Sequence, residues 1–292
     1  MEQKLKDDNL SDMKSIFLFT FIIFCACSSQ EEKVIEELKK KEWEREGWSL
    51  VWQDEFESNN LDLTKWSHEI GGHGFGNNEL QYYTESDTNS FIRDGNLVIK
   101  ANVLPQGISS SKGLRYYTSA RLRTKEKGDW KFGRIDVKAK VALGQGIWPA
   151  IWMLPTDWAY GGWPSSGEID IMEHVGHDPG GVHGSVHTEA YNHIMNTQRT
   201  AYKPLSNIDD SFYIYSIEWN VDKIDFFIDD IKYFTFKNDG SGNFRTWPFD
   251  QRFHLLINVA VGGDWPGSPD NSTKFPSEML IDYVRVYEVS EE

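Results

Sequence analysis

From Trp48 onward, short runs of apolar or alternating residues recur between turn signals. FGRIDVKAKV, IWPAIWML, EIDIME, VHGSVHT, FYIYSIEW, KIDFFIDD, YFTFK, FHLLINVAV and LIDYVRVYEV all have the period of β-strands. Turns are marked by Arg93-Asp94-Gly95-Asn96, Lys127-Gly128-Asp129, Asp229-Asp230 and Asn238-Asp239-Gly240. There is no long amphipathic helix here and no internal repeat. The pattern predicts one all-β domain over residues 47–290, a large antiparallel sandwich.

Period two also sorts side chains by face. In IWPAIWML, Ile147, Pro149, Ile151 and Met153 form a core face, and Trp148, Ala150 and Trp152 form the opposite one. FHLLINVAV sets Phe253, Leu255, Ile257, Val259 and Val261 against His254, Asn258 and Ala260. VHGSVHT sets Val182 and Val186 against His183, Ser185 and His187. Polar and aromatic groups on one face of several strands predict a lined cleft.

Candidate chemistry concentrates in Gly167-Glu168-Ile169-Asp170-Ile171-Met172-Glu173-His174. Glu168 and Asp170 share a face, but the next position on that face is Met172. A β-bulge of one residue returns Met172 to the core and brings Glu173 round beside Asp170. Three carboxyls then crowd one strand, at a spacing compatible with the pair used in retaining glycoside hydrolysis, about 5–5.5 Å apart. Like charges so close raise some of the carboxyl pKa values. A solvent-facing acidic strand or a calcium site are the alternative readings of the triplet alone.

The N-terminus reads as an address. Lys14, the apolar run Ile16 to Phe24 and the small residues after it make a secretory signal over residues 1–27, with Met13 a candidate true start. The run is too short for a comfortable membrane span. Phe24-Cys25-Ala26-Cys27 resembles a bacterial lipobox with Cys27 as the lipidated residue; an ordinary cleaved signal is the alternative. Residues 28–46 are a charge-dense tether.

Composition narrows the partners. A formal charge of −15 argues against nucleic acid or an anionic polysaccharide as ligand. Two cysteines, both near the N-terminus, exclude a disulfide-stapled fold and a cysteine zinc site. Twelve tryptophans are left to be explained.

GEIDIMEHVG resembles the active-site strand of glycoside hydrolase family 16, Glu-x-Asp-x-x-Glu with its bulge. WQDEF, NNELQYYT, DGNLVI, YTSARLRT, FGRIDVKAKV, GIWPAIWML, SVHTEAYNH, INVAVGGDWPG and IDYVRVY extend the resemblance, in order, over most of residues 48–288. Within that family the set looks most like the bacterial laminarinases, endo-acting on β-1,3-glucan. The resemblance implies a β-jelly-roll sandwich of two antiparallel sheets with a concave substrate cleft. It implies Glu168 as nucleophile, Glu173 as general acid/base and Asp170 as the group that hydrogen-bonds the nucleophile. The reaction implied is double displacement through a covalent glycosyl-enzyme.

Trp148 and Trp152 match sugar platforms, and Asn78, Arg121, His187, Asn258 and Trp265 match further cleft positions. Trp158 and Trp163 lie in a Gly/Pro-rich loop as a cleft wall or as loop anchors. No catalytic cofactor is implied. A structural calcium is, on Glu55, the Gly95 carbonyl and Asp282, with Asp54 able to exchange with Glu55. The partner implied is a neutral β-glucan. A monomer is expected, with no nucleic acid and with membrane contact only through the lipid anchor, at the outer membrane or cell surface or else in the periplasm or medium. Alternatives on the same fold are a mixed-linkage β-1,3/1,4-glucanase, a transglycosylase, an agarase- or carrageenan-type enzyme, and a non-catalytic glucan-binding protein. The last of these loses the acids, and all three are present here.

Overall fold

The computed structural model describes residues 43–208 and 210–290. The expected secretory signal, Cys27 and most of the expected tether therefore lie outside the described residues. No helix among the described residues is long and apolar enough to cross a membrane.

Residues Val51–Val289 form one compact unit. Its cleft sheet runs Arg199–Pro204, Gly181–His187, Glu168–Glu173, Ile147–Pro155, Phe253–Val261, Arg121–Arg123 and Ser67–His68, with Asp129–Trp130 also paired to Phe253–Val261. The second sheet runs Ile231–Lys237, Lys223–Ile228, Tyr213–Trp219, Gly133–Lys140, Ser277–Val289, Asn96–Ser110, Gly113–Ser119 and Gln81–Tyr83, with Ser90–Arg93 on Asn96–Ser110. Pairing is antiparallel except between Gln81–Tyr83 and Gly113–Ser119, which run parallel. The architecture is the expected β-jelly-roll sandwich of two sheets.

Each segment read as a strand forms one, because its apolar positions meet across a single core. Ile147, Ile151, Met153, Ile169 and Ile257 from the cleft sheet join Ile135, Val137, Ile217 and Val284 from the other. Burying side chains of this size contributes roughly 1.5–3 kcal/mol each. Two hairpins are closed by two-residue turns, Asp94-Gly95 and Asp229-Asp230, between the pairs Arg93–Asn96 and Ile228–Ile231. All four turn residues have positive φ (51°, 71°, 48° and 62°), the geometry that follows strand twist. Asp229 tolerates it because its carboxylate accepts the Ile214 N–H at 2.9 Å.

The bulge in the acidic strand is present. Against Ile147–Pro155, Asp170 pairs with Trp152 and Met172 with Ile151, so Ile171 is the extra residue. Met172 is consequently fully buried, and Glu173 lies opposite Ala150 on the cleft face. On its other side the strand places Glu168, Asp170 and Glu173 opposite His187, Ser185 and His183.

Candidate active site

Register builds a continuous row across the cleft sheet: His183, Glu173, Ala150, Asn258, Arg121. Trp148 and Trp152 flank Ala150 on the same face. The small Ala150 side chain leaves room between the two rings and in front of Glu173. An open cleft of about 360 Å³ lies there, lined by Arg121, Trp148, Trp152, Glu168, Glu173 and Asn258 among others.

The three carboxyls lack a cation. Among the described residues no Lys or Arg forms an ion pair with Glu168, Asp170 or Glu173; the nearest base is His187, its Nε2 3.1 Å from Asp170 Oδ2. Burial, then the Asp170 charge, pushes the Glu168 carboxyl up to about 8, against smaller opposing effects of His187 and of the Trp163 N–H. Asp170 rises to about 7, again through burial. Glu168 and Asp170 are in hydrogen-bond contact, which two carboxyls achieve by sharing a proton. Glu173 lies well above the usual carboxylate range because of burial and the charges of Asp170 and Glu168, with the Trp148 N–H acting the other way. Burial lowers His187, so it is a neutral neighbour.

Indole N–H groups orient these acids. Trp163 Nε1 donates to Glu168 Oε2, and Trp148 Nε1 donates to Glu173 Oε1 at 3.1 Å. Gly167 lets the chain enter the strand: with φ at +90°, a Cβ there would sit 2.8 Å from Pro248 Cγ.

The cleft wall is held from beneath by a polar chain. Trp152 Nε1 donates to Asn258 Oδ1 at 2.7 Å, Asn258 Nδ2 donates to Tyr83 OH at 3.1 Å, and Tyr83 OH donates to Glu79 Oε2 at 3.1 Å. Gln81 Nε2 donates to the same Glu79 oxygen at 2.5 Å. Arg121 stacks on Trp152 at 4.6 Å and on Phe75 at 4.8 Å, and pairs with Glu69 at 2.6 Å. Each contact fixes a ring that a mobile side chain would otherwise present at an entropy loss on binding.

Arg121, Trp148, Trp152, Asn258 and the acids therefore come together on one face. Trp265 joins through its edge contact with Trp148 at 5.5 Å, and His187 lies behind Asp170. Asn78 does not line the pocket: it is exposed with φ 55°, donates to both oxygens of Asp264 at 3.0 Å, and leaves the cleft wall to Asn77. The positive-φ turn reverses which of the two asparagines faces inward. Of the loop tryptophans, Trp163 reaches Glu168. Trp66, Trp130, Trp219 and Trp247 are core residues.

The cation positions are arranged differently from the calcium expectation. Both Glu55 oxygens accept from Arg285, at 2.9 and 2.8 Å, and Asp282 Oδ2 lies 2.6 Å from Lys138 Nζ. Asp54 accepts from Trp66 Nε1 at 2.8 Å. These carboxylates already face cationic or N–H donors of the chain, so as arranged they do not fit a calcium ion shared with the Gly95 carbonyl.

Sequence reasoning missed the support beneath the wall. Glu79, Gln81 and Tyr83 alternate in NNELQYYT, and all three are buried. Three polar residues at period two on a strand of apolar surroundings was the available signal.

Residues 77–285 match the profile of glycosyl hydrolases family 16. A β-glucanase from Rhodothermus marinus is 47% identical over 249 residues, covering 82% of this chain and 85% of that protein. The X-ray structure of the laminarinase from Rhodothermus marinus superposes with a TM-score of 0.78 at 46% identity, covering 84% of this chain and 98% of the other. The laminarinase catalytic domain from Thermotoga maritima MSB8 gives a TM-score of 0.78 at 41% identity, covering 84% and 100%. A matched profile over most of the folded unit, together with a relative 47% identical over most of its length, means that this chain belongs to glycosyl hydrolases family 16.

Proposed function

We propose that the protein is an endo-acting, retaining glycoside hydrolase of β-1,3-glucan. The observation that carries this reading is the triplet Glu168, Asp170 and Glu173 on the cleft face beside Trp148 and Trp152, with no Lys or Arg paired to it among the described residues. The similarity to laminarinases favours the β-1,3 linkage.

Glu173, kept protonated by burial and by its like-charged neighbours, is the general acid. It gives its proton to the glycosidic oxygen as the bond to the anomeric carbon breaks. Glu168 attacks that carbon and forms the glycosyl-enzyme ester. As Glu168 attacks, the proton that it shares with Asp170 passes to Asp170, so the attacking oxygen is the ionised one. Glu173, now a carboxylate, takes a proton from water, which attacks the ester and releases the sugar with its configuration retained. Trp148 and Trp152 hold pyranose C–H faces on their rings, Arg121 and Asn258 fix Trp152, and Trp265 supports Trp148. No step calls for a metal.

Export through residues 1–27, lipid attachment at Cys27 and a tether over 28–46 complete the reading, and the enzyme acts as a monomer at the cell surface. A polymeric substrate supports this placement, since it lies outside the cell. Labelling with radioactive palmitate is expected to mark the wild type and not Cys27→Ser; equal labelling removes the anchor from the account.

Reducing-sugar release from laminarin, lichenan, agarose and carrageenan tests the substrate. Release from laminarin is expected to exceed the others. No release from laminarin overturns the reading, and preferential release from lichenan replaces it with mixed-linkage cleavage.

A further inference from the structure

Beyond Glu173 the cleft sheet continues for two more strands. Register sets His183 opposite Glu173 and Tyr202 opposite His183. Directly opposed residues share a face, so Tyr202 stands on the cleft side, about 10 Å from Glu173 at ordinary strand spacing. Rings join across that distance. Trp148 meets Trp265 edge-on at 5.5 Å, Trp265 meets His183 at 5.1 Å, and His183 meets Tyr202 at 5.1 Å.

Tyr202 is a fixed plate rather than a free surface side chain. Its hydroxyl donates to Asp178 Oδ1 at 3.3 Å, and Asp178 Oδ2 lies 4.0 Å from His183 Nε2. The ring lies against the backbone of two glycines. A Cβ on Gly181 would come within 2.9 Å of Tyr202 Cζ, and one on Gly180 within 3.1 Å of its hydroxyl. The residue is nevertheless 41% exposed. An anchored aromatic ring that keeps open surface next to a sugar cleft offers a C–H packing platform with little conformational freedom left to lose.

We propose that Tyr202, positioned by Asp178 and backed by Gly181, forms a further sugar subsite at the edge of the cleft sheet. It takes a glucosyl unit of the same β-1,3-glucan chain, beyond the units at the scissile bond. The occupant follows from continuity with the cleft through Trp148, Trp265 and His183, and the inference rests on the β-1,3-glucanase reading. Its consequence is selectivity for chain length, because only an oligosaccharide long enough to reach Tyr202 gains from it.

The test is kcat/KM for wild type, Tyr202→Ala and Tyr202→Phe on β-1,3-gluco-oligosaccharides of increasing length and on laminarin. The ratio of wild type to Tyr202→Ala is expected to rise with length to about five- to tenfold, mainly through KM, while Tyr202→Phe, which keeps the ring and loses its bond to Asp178, shows a smaller rise with length. A ratio that is flat across all lengths overturns the subsite, whether it comes from no loss or from uniform loss with a lowered melting temperature. A wild type inactive on every member of the ladder and on laminarin overturns the proposed function instead, and the subsite with it.

Discussion

Asp136 and Asp170 are each 1% exposed, yet their surroundings are opposite. Asp136 belongs to the second sheet, where Arg134 Nε donates to it at 2.7 Å; the same guanidinium holds Glu218 at 2.8 Å and Asp230 at 2.7 Å. Asp170 faces Glu168 and His187, with no Lys or Arg paired to it among the described residues. Taking a carboxylate out of water is costly unless a partner replaces the water. The second sheet meets that requirement with a buried arginine, which ties Gly133–Lys140 to Tyr213–Trp219 and to the Asp229-Asp230 turn. The cleft sheet leaves it unmet, so its acids retain protons near neutral pH. Buried acids thus divide into those that hold the fold and those kept available for chemistry, and the division follows their partners rather than their exposure.

The sharpest break in this comparison is expected from Glu173→Gln. Hydrolysis of laminarin should fall by roughly 10²–10⁴-fold, since a general acid is lost. The melting temperature should stay level or rise, because a buried acid is replaced by an amide of the same shape whose oxygen can still accept the Trp148 N–H. Steady-state rates and calorimetry on the same preparation check both; a large drop in melting temperature would mean that Glu173 is structural. Arg134→Met should do the reverse. It takes the guanidinium away from buried Asp136, Glu218 and Asp230 together and should destabilise by about 3–5 kcal/mol in denaturant unfolding, with kcat of the folded protein unchanged. Equal stability of Arg134→Met and wild type would remove the contrast.

A smaller effect sharpens the same point through pH. Glu168 titrates at about 8 in the folded protein against an ordinary 4.5, so across that window the folded state holds a proton that the unfolded chain releases. Stability therefore falls as pH rises between those values. Glu168→Gln lacks this dependence, and its melting temperature should gain on the wild type as pH rises through the window. A constant difference would contradict a raised Glu168 carboxyl.

Much of this was legible in the sequence. The strands with several alternating apolar residues form where their period places them, and the bulge follows from Met172 standing where the acidic face would continue. Short strands such as Ser67–His68 and Asp129–Trp130 were not legible, because two residues carry no period and are defined by their partners. In the site, shared faces were readable for Trp148, Trp152 and Asn258. The inward turn of Asn77 in place of Asn78 depends on a positive φ, and the reach of Trp163 to Glu168 depends on loop geometry. Neither leaves a periodic trace. The carboxylate contacts of Arg285 and Lys138 were likewise invisible, since they join residues from separate strands.

The central claim is that Glu168, left without a cation, is the group that bonds to the sugar. A 2-deoxy-2-fluoro β-1,3-linked glucosyl fluoride slows turnover of such an ester enough for the labelled protein to be digested and its peptides weighed. The account predicts one adduct, on Glu168 in the peptide that also contains Asp170 and Glu173. An adduct on Glu173 or Asp170, or inactivation without any covalent sugar, would contradict it.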